Sequence, residues 1–228
     1  MDSVTVTDSK GNEIEVTING DGTYSFKMPA SKVTVTPVII EDEPVHLAGR
    51  PFVDVPEGAW SYDAAYHCYD SGYFQGVGDT HFDPQGTMTR DMFATVLYRI
   101  AGEPEVTGEN PFTDVEAGTW YTDAVIWAAD EKIIEGYGNV IFGTDDPVTR
   151  EQMVTLFWRY QGKPVAESED LASFTDADQI SSWARDAFAW AVSVGVINGK
   201  GDGILDPKAT ATRAEVAQIV MNYDTKVG

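Results

Sequence analysis

Cysteine, cationic side chains and long apolar runs are all scarce in this chain, and each scarcity closes a class of function. A single cysteine, Cys68, in 228 residues excludes an intramolecular disulfide framework and cannot alone make a thiolate metal cluster. Fifteen Lys plus Arg against 37 Asp plus Glu leave a formal net charge of −22, which repels nucleic acid and anionic membrane surfaces at long range. No nucleic-acid partner is expected. No stretch is long and apolar enough to span a bilayer, so membrane insertion is not expected either. The start, Met1-Asp2-Ser3-Val4, is not a signal peptide. Alternation begins at once, at residue 4, so the chain reads as a piece of a longer protein whose export signal lies upstream. Zinc spacings, phosphate loops and nucleophile motifs are missing. Asp202, Ile204 and Asp206 occupy the first, third and fifth positions of a calcium loop, but its twelfth is Arg213, where a bidentate Glu is required. No catalytic residue, metal site or cofactor is therefore expected.

What is present is repetition. The chain writes one helix start three times, as Thr89-Arg90-Asp91-Met92, Thr149-Arg150-Glu151-Gln152 and Thr212-Arg213-Ala214-Glu215. Each sits at the same place in a unit of about 60 residues, and such self-similarity decides the architecture. Trp60, Trp120 and Trp183 are followed in constant register by His67, Trp127 and Trp190, then by Gly76, Gly136 and Gly199, then by Arg90, Arg150 and Arg213. The units open on Phe52-Val53-Asp54-Val55, Phe112-Thr113-Asp114-Val115 and Phe174-Thr175-Asp176-Ala177, and the third opening loop carries one extra residue before Trp183. A hydrophobic content of 43% with 11% aromatic residues suffices to bury one or two cores.

Residues 1–43 differ in kind. Strands are expected at Val4–Thr7, Ile14–Ile18, Thr23–Lys27 and Lys32–Ile40, with a hairpin turn at Asn19-Gly20-Asp21-Gly22. So few short strands make a small sheet at most. The phrase from Gly22 to Thr36 resembles the closing half of internalin-type and Ig-like β-repeats, which implies a stalk or spacer. Residues 44–51 are expected to be a linker, and units to run over 52–104, 105–164 and 165–228. Within each unit the apolar spacing predicts helix, loop, helix: Ala124, Trp127 and Ala128 share a face with Trp120, and Phe93, Val96, Leu97 or Val216, Ile219, Val220 stripe the second helix. Between the helices, Gly76-Val77-Gly78, Gly136-Tyr137-Gly138 and Gly199-Lys200-Gly201 imply positive φ or a close backbone approach.

Over residues 52 to about 224, the order Phe-x-Asp, Trp, Gly-x-Gly-Asp and Thr-Arg-Ala-Glu resembles the S-layer homology repeat, present three times. The resemblance implies a mainly α fold with three helix-loop-helix repeats in a pseudo-threefold assembly around a central three-helix bundle, beside the small N-terminal β segment. It implies non-covalent attachment to bacterial secondary cell-wall polysaccharide, often pyruvylated, in grooves between repeats, at the cell surface. The implied contacts are Arg90, Arg150 and Arg213, Trp60, Trp120 and Trp183, Gly76, Gly136 and Gly199, and Asp54, Asp114 and Asp176.

The residues allow a parallel physical account. Thr149 with Gln152 and Thr212 with Glu215 have capping-box spacing, which explains Thr and Glu but not Arg, since a cation in the first helical turn opposes the helix dipole. An arginine fork beside free helix N–H groups would seat a carboxylate such as a ketal-linked pyruvate. Pairing with Asp54, Asp114 or Asp176 is the structural alternative. On the ligand reading, Arg150→Ala is expected to fold normally and bind less polymer. Trp60, Trp120 and Trp183 are placed to stack on sugar, whereas Trp127, Trp190, His67 and Cys68 read as packing residues. Met92 denies the first unit its reciprocal cap, which points to a weaker Arg90 groove. An adhesive module without glycan specificity, or a fragment of a glycan-active enzyme, are the competing readings.

Overall fold

Each Thr-Arg phrase starts a helix in the computed structural model, which describes residues 3–19, 23–38, 50–166 and 171–227. The chain divides into two compact units, Met1–Leu47 and Ala48–Gly228. In the second unit the first helices of the repeats are α1 (Tyr62–Asp70), α3 (Thr122–Asp130) and α5 (Arg185–Ser193). The second helices are α2 (Arg90–Ile100), α4 (Arg150–Tyr160) and α6 (Arg213–Lys226). The extra residue of the third opening loop is taken up by short 3-10 turns at Ala177–Gln179 and Ser182–Ala184.

Helices pair between repeats rather than within them. α2 packs on α3, α4 on α5, and α6 on α1, so each second helix leans on the first helix of the following repeat and the last returns to the beginning. This closes the fold into a pseudo-threefold ring. The second helices meet at its centre, where the Phe93 and Phe157 rings are 5.4 Å apart and the Phe157 and Tyr223 rings 5.5 Å. Phe93, Leu97, Val154, Phe157, Val216 and Val220 are buried, as their spacing predicts. Just before these helices the chains form a hydrogen-bonded triangle: Met88 N–H donates to Ala211 O, Ala211 N–H to Val148 O, and Val148 N–H to Met88 O, at 2.9–3.0 Å. All three residues are sealed from solvent, so the triangle exchanges backbone bonds where water cannot compete.

The packing residues lie where expected. Trp127 and Trp190 are buried. His67, their counterpart, bonds Asp224 of α6 at 2.8 Å and so helps close the ring. Cys68 is sealed against α6, its thiol facing the Ala217 carbonyl at 3.5 Å, and burial pushes its pKa upward, away from thiolate reactivity.

In the N-terminal unit β1 (Ser3–Asp8) is the centre of a three-stranded antiparallel sheet, flanked by β2 (Glu13–Ile14) and β5 (Val33–Val38). β3 (Val16–Ile18) and β4 (Tyr24–Phe26) form a separate antiparallel pair. The single strand expected over 14–18 is therefore divided at Glu15 between two sheets. Val6 is buried at 1% exposure, paired with Ile14 on one side and Val35 on the other. Most of the expected turn at 19–22, the end of the last strand at 39–40, and all but the last two residues of the 44–51 linker lie outside the described residues.

Candidate functional site

The opening phrase of each repeat builds the floor on which the rest stands. Asp54 accepts the backbone N–H groups of Phe82 and Asp83 at 2.8 and 2.7 Å. Asp114 does the same for Phe142 and Gly143, and Asp176 for Leu205 and Asp206, at 2.7–2.9 Å. Burial pushes the Asp114 and Asp176 carboxyls up, but the backbone donors outweigh it and hold both below their ordinary value. These carboxylates thus fix the loop after the glycines, and they bond backbone amides where the structural alternative would pair them with the arginines.

The glycines answer to the same phrase. A Cβ on Gly136 would lie 2.3 Å from Ile141 O and 2.7 Å from a Phe112 ring carbon. One on Gly76 would lie 2.7 Å from His81 O and 2.9 Å from the Phe52 ring. Gly199 repeats the close approach to Ile204 O and Phe174, with φ +81°. The close partner is the repeat's own chain.

The arginines reach across the ring. Arg90 donates from Nε to Phe142 O at 3.0 Å and from Nη2 to Glu135 O at 3.1 Å, both in the second repeat. Arg213 donates to Phe82 O at 2.7 Å and Gln75 O at 2.8 Å in the first. Arg150 donates from Nε to Leu205 O at 2.8 Å in the third. All three are buried, and burial lowers their pKa. The helix N–H groups beside them are not free. Arg90 N–H donates to Asp146 O, Arg150 N–H to Ala209 O and Arg213 N–H to Gly86 O, and the following residue's N–H finds another carbonyl of the same neighbour. Both capping boxes form, at Thr149–Gln152 and Thr212–Glu215, and Thr89 makes none. An exposed anion seat on the helix dipole is thus corrected to a closed, neighbour-capped helix start. The expectation that Arg150→Ala folds normally loses its basis with it.

Grooves remain above these floors. The larger, about 470 Å³, is lined by Trp60, Arg150, Asn198, Gly199, Lys200 and Glu215 together with Gln218 and Asn222 of α6. The second, about 200 Å³, draws its lining from the equivalent positions: Trp120, Arg213, Gly76, Val77, Met92 and Arg99 among them. Each therefore takes its Arg, its second helix with the glycine loop, and its Trp from three different repeats. Met92 consequently lines the groove of Arg213, not that of Arg90. Trp60, Trp120 and Trp183 stand two residues before their helices and are 61%, 58% and 52% exposed, which takes Trp120 off the buried face of α3. Beside Arg90 the Tyr137 ring lies 4.5 Å from the guanidinium.

Lys200, Asn198, Gln218 and Asn222 were not foreseen in the site. In the larger groove Lys200 Nζ lies 3.1 Å from Glu215 Oε1, Gln218 bonds Asn222 at 3.0 Å, and Asn222 bonds Val196 O at 3.1 Å. Gln218 and Asn222 lie on the polar outer stripe of α6, and Asn198 and Lys200 in the glycine loop before it, positions readable as groove lining only once the partner repeat is known. Among the described residues there is no group of three or more His, Cys, Asp or Glu placed to hold a metal ion, and no helix long and apolar enough to cross a membrane.

The S-layer homology domain matches the sequence at residues 51–93, 111–154 and 173–217. An amylopullulanase of Thermoanaerobacterium thermosulfurigenes is 32% identical over 182 residues, 78% of this chain and 10% of the relative. The exoglucanase XynX of Acetivibrio thermocellus is 33% identical, over 76% of this chain and 17% of the relative. The S-layer protein sap of Bacillus anthracis is 27% identical, over 89% of this chain and 25% of the relative. The chain thus spans a quarter or less of the length of these relatives, and the two enzymes share with it only this segment.

Proposed function

The chain belongs to the S-layer homology domain family, and on that premise we propose that it holds a surface protein to the cell wall by seating secondary cell-wall polysaccharide, pyruvylated on some sugars, in the grooves between its repeats. The family's modules anchor without catalysis and work at the cell surface. The observation that carries the glycan reading is the pair of grooves in which an exposed Trp, a buried Arg and a glycine loop converge from three repeats. An indole offers a flat apolar face to a sugar ring while the polar groups opposite meet its hydroxyls.

Rigidly joined grooves act as linked sites, so weak contacts sum to firm retention. The arginines serve as floor, holding the groove shut at its base, and touch ligand from beneath. Residues 1–43 act as a stalk or spacer, 44–51 as a linker, and 52–104, 105–164 and 165–228 as the three anchoring repeats. The test is co-sedimentation with purified walls of a Gram-positive bacterium bearing S-layer homology proteins. Replacing Trp60 and Trp120 together by Ala is expected to release the chain from the wall while leaving its thermal unfolding in place, because both rings are exposed. Unchanged retention would remove the tryptophans from the site.

A further inference from the structure

We propose that Asn198-Gly199, in the glycine loop of the third repeat, is a site of spontaneous modification: the asparagine closes on its own backbone and loses ammonia, and the acid left behind loosens the Arg150 groove, which gives the anchor a built-in lifetime. The loosening rests on the wall-binding reading above; the conversion itself does not. The step is an intramolecular acyl transfer. The Gly199 backbone nitrogen gives up its proton and attacks Asn198 Cγ, the Cγ–Nδ2 bond breaks, and Nδ2 takes up a proton and leaves as ammonia. Water then opens the five-membered imide at either carbonyl, which leaves aspartate or an isoaspartate whose main chain runs through the side-chain carboxyl. Such closure needs a nitrogen unshielded by the next residue's Cβ, an N–H not held in a hydrogen bond, and a side chain free to turn.

Asn198 meets all three conditions. It is exposed, in irregular backbone, and followed by glycine. Its side chain makes one long bond, from Nδ2 to Gly195 O at 3.5 Å, and among the described residues the Gly199 N–H donates no hydrogen bond. The loop is also held less firmly than its counterparts. Arg90 and Arg213 each give a second guanidinium bond to the carbonyl just before the glycine, Glu135 O and Gln75 O. Among the described residues Arg150 gives none to Asn198 O, and Gly199 turns to φ +81° where Gly76 and Gly136 keep negative φ. The other asparagines each lack a condition. Pro111 after Asn110 has no N–H, Val140 after Asn139 is β-branched, and Asn222 lies inside α6, whose amides bond along the helix. Asn12 precedes Glu13 and is tied to Asp8 at 2.9 Å. Asn19 does precede a glycine, but Thr23 and Ser25 hold its side chain at 2.8 and 3.4 Å.

Either product alters the groove. Asn198 lines it together with Glu215 and Lys200, and Lys200 Nζ is already engaged with Glu215 at 3.1 Å. A carboxylate at 198 therefore adds negative charge to a groove that the proposed function gives to an acidic polymer. Isoaspartate does more, because it inserts a methylene into a main chain that has no slack. A Cβ on Gly199 would lie 2.7 Å from Ile204 O and 3.0 Å from the Phe174 ring, and the Lys200 N–H donates to the same Ile204 O at 2.7 Å. The lengthened chain pushes Gly199 against that wall or breaks the Lys200 bond, and both move the loop that forms one side of the groove.

The test ages the full chain in mildly alkaline buffer, reads each asparagine by peptide mass spectrometry, and reads retention by co-sedimentation with polysaccharide-bearing cell walls. Asn198 is expected to convert about tenfold or more faster than Asn139 and Asn222, and faster than Asn19. Wall affinity of the converted chain is expected to fall about threefold or more, and a fresh Asn198→Asp chain should show the part of that fall owed to charge. Asn198→Gln carries the residue found at 75 in the first repeat and would have to close a slower six-membered imide, so its aged and fresh samples should pellet alike. An Asn198 that stays intact while Asn19 converts would overturn the site. Undiminished retention of the converted chain, or an equal loss on ageing in Asn198→Gln, would overturn the loosening while leaving wall binding intact. A fresh chain that does not pellet would overturn the wall-binding reading and the loosening together, and the mass measurement would still decide the conversion.

Discussion

A guanidinium that spends its Nε on a neighbouring repeat's carbonyl is a structural bolt before it is a ligand contact. Removing the side chain of Arg213 strands the carbonyls of Phe82 and Gln75 and opens a void against the Phe74 and Phe82 rings, 5.4 and 4.9 Å from the guanidinium. Arg213→Ala is therefore expected to lose about 2–4 kcal/mol of stability in urea unfolding, and Arg213→Lys to recover only part, because an ammonium lacks the planar fork. The carboxylates give a pH dependence. Asp114 and Asp176 titrate below their ordinary value in the folded chain because backbone N–H bonds outweigh burial. Their contribution is complete above the unfolded pKa, about 3.9, and is lost as pH falls through the lower folded value. Stability should hold to about pH 4 and fall below it, and Asp114→Asn should make that fall shallower in an acid titration followed by circular dichroism. At this scale the sequence names the residue types, since each is tripled in register, but not their partners. Arg90 and Phe142 are 52 positions apart, and a backbone carbonyl leaves no mark in composition.

The helices were legible because three independent signals agree: the apolar spacing, the capping residues, and the glycines at 102 and 162 that end α2 and α4 with φ of +81° and +75°. The caps can be weighed directly. Thr212→Ala removes the hydroxyl that accepts the Glu215 N–H at 3.3 Å and is expected to cost about 1 kcal/mol, measured by the shift in denaturation midpoint. Gly136→Ala is expected to cost more, on the order of 2 kcal/mol or above, because its Cβ falls 2.3 Å from Ile141 O, a backbone atom that cannot swing aside. The same rules failed where pairing is decided at a distance. Alternation ran unbroken through Ile14–Ile18, yet β2 pairs with β1 and β3 with β4, and no local preference marks Glu15 as the break.

At the scale of the whole repeat unit the decisive fact is cyclic closure. Repetition showed that there are three equivalent pieces; it could not show that each second helix serves the next repeat's first helix, because pairing within a repeat satisfies the same apolar stripes. That one unknown also moved the groove positions, placing Met92 with Arg213 and Lys200 with Arg150. Closure has a stability consequence. Deleting residues 165–228 removes α5 and α6, and so strips the packed faces of α4 and α1 and breaks the backbone triangle at Ala211. The shortened chain is expected to lose its sharp thermal transition in calorimetry rather than keep two-thirds of it, unlike an open solenoid whose repeats add stepwise. The measurement closest to the central claim is co-sedimentation of the full chain with bacterial cell walls before and after mild acid has removed their secondary polysaccharide. An anchor that works through glycan grooves should pellet with the intact walls and stay in solution with the stripped ones; equal pelleting with both would contradict it and leave an adhesive module that does not read the polymer.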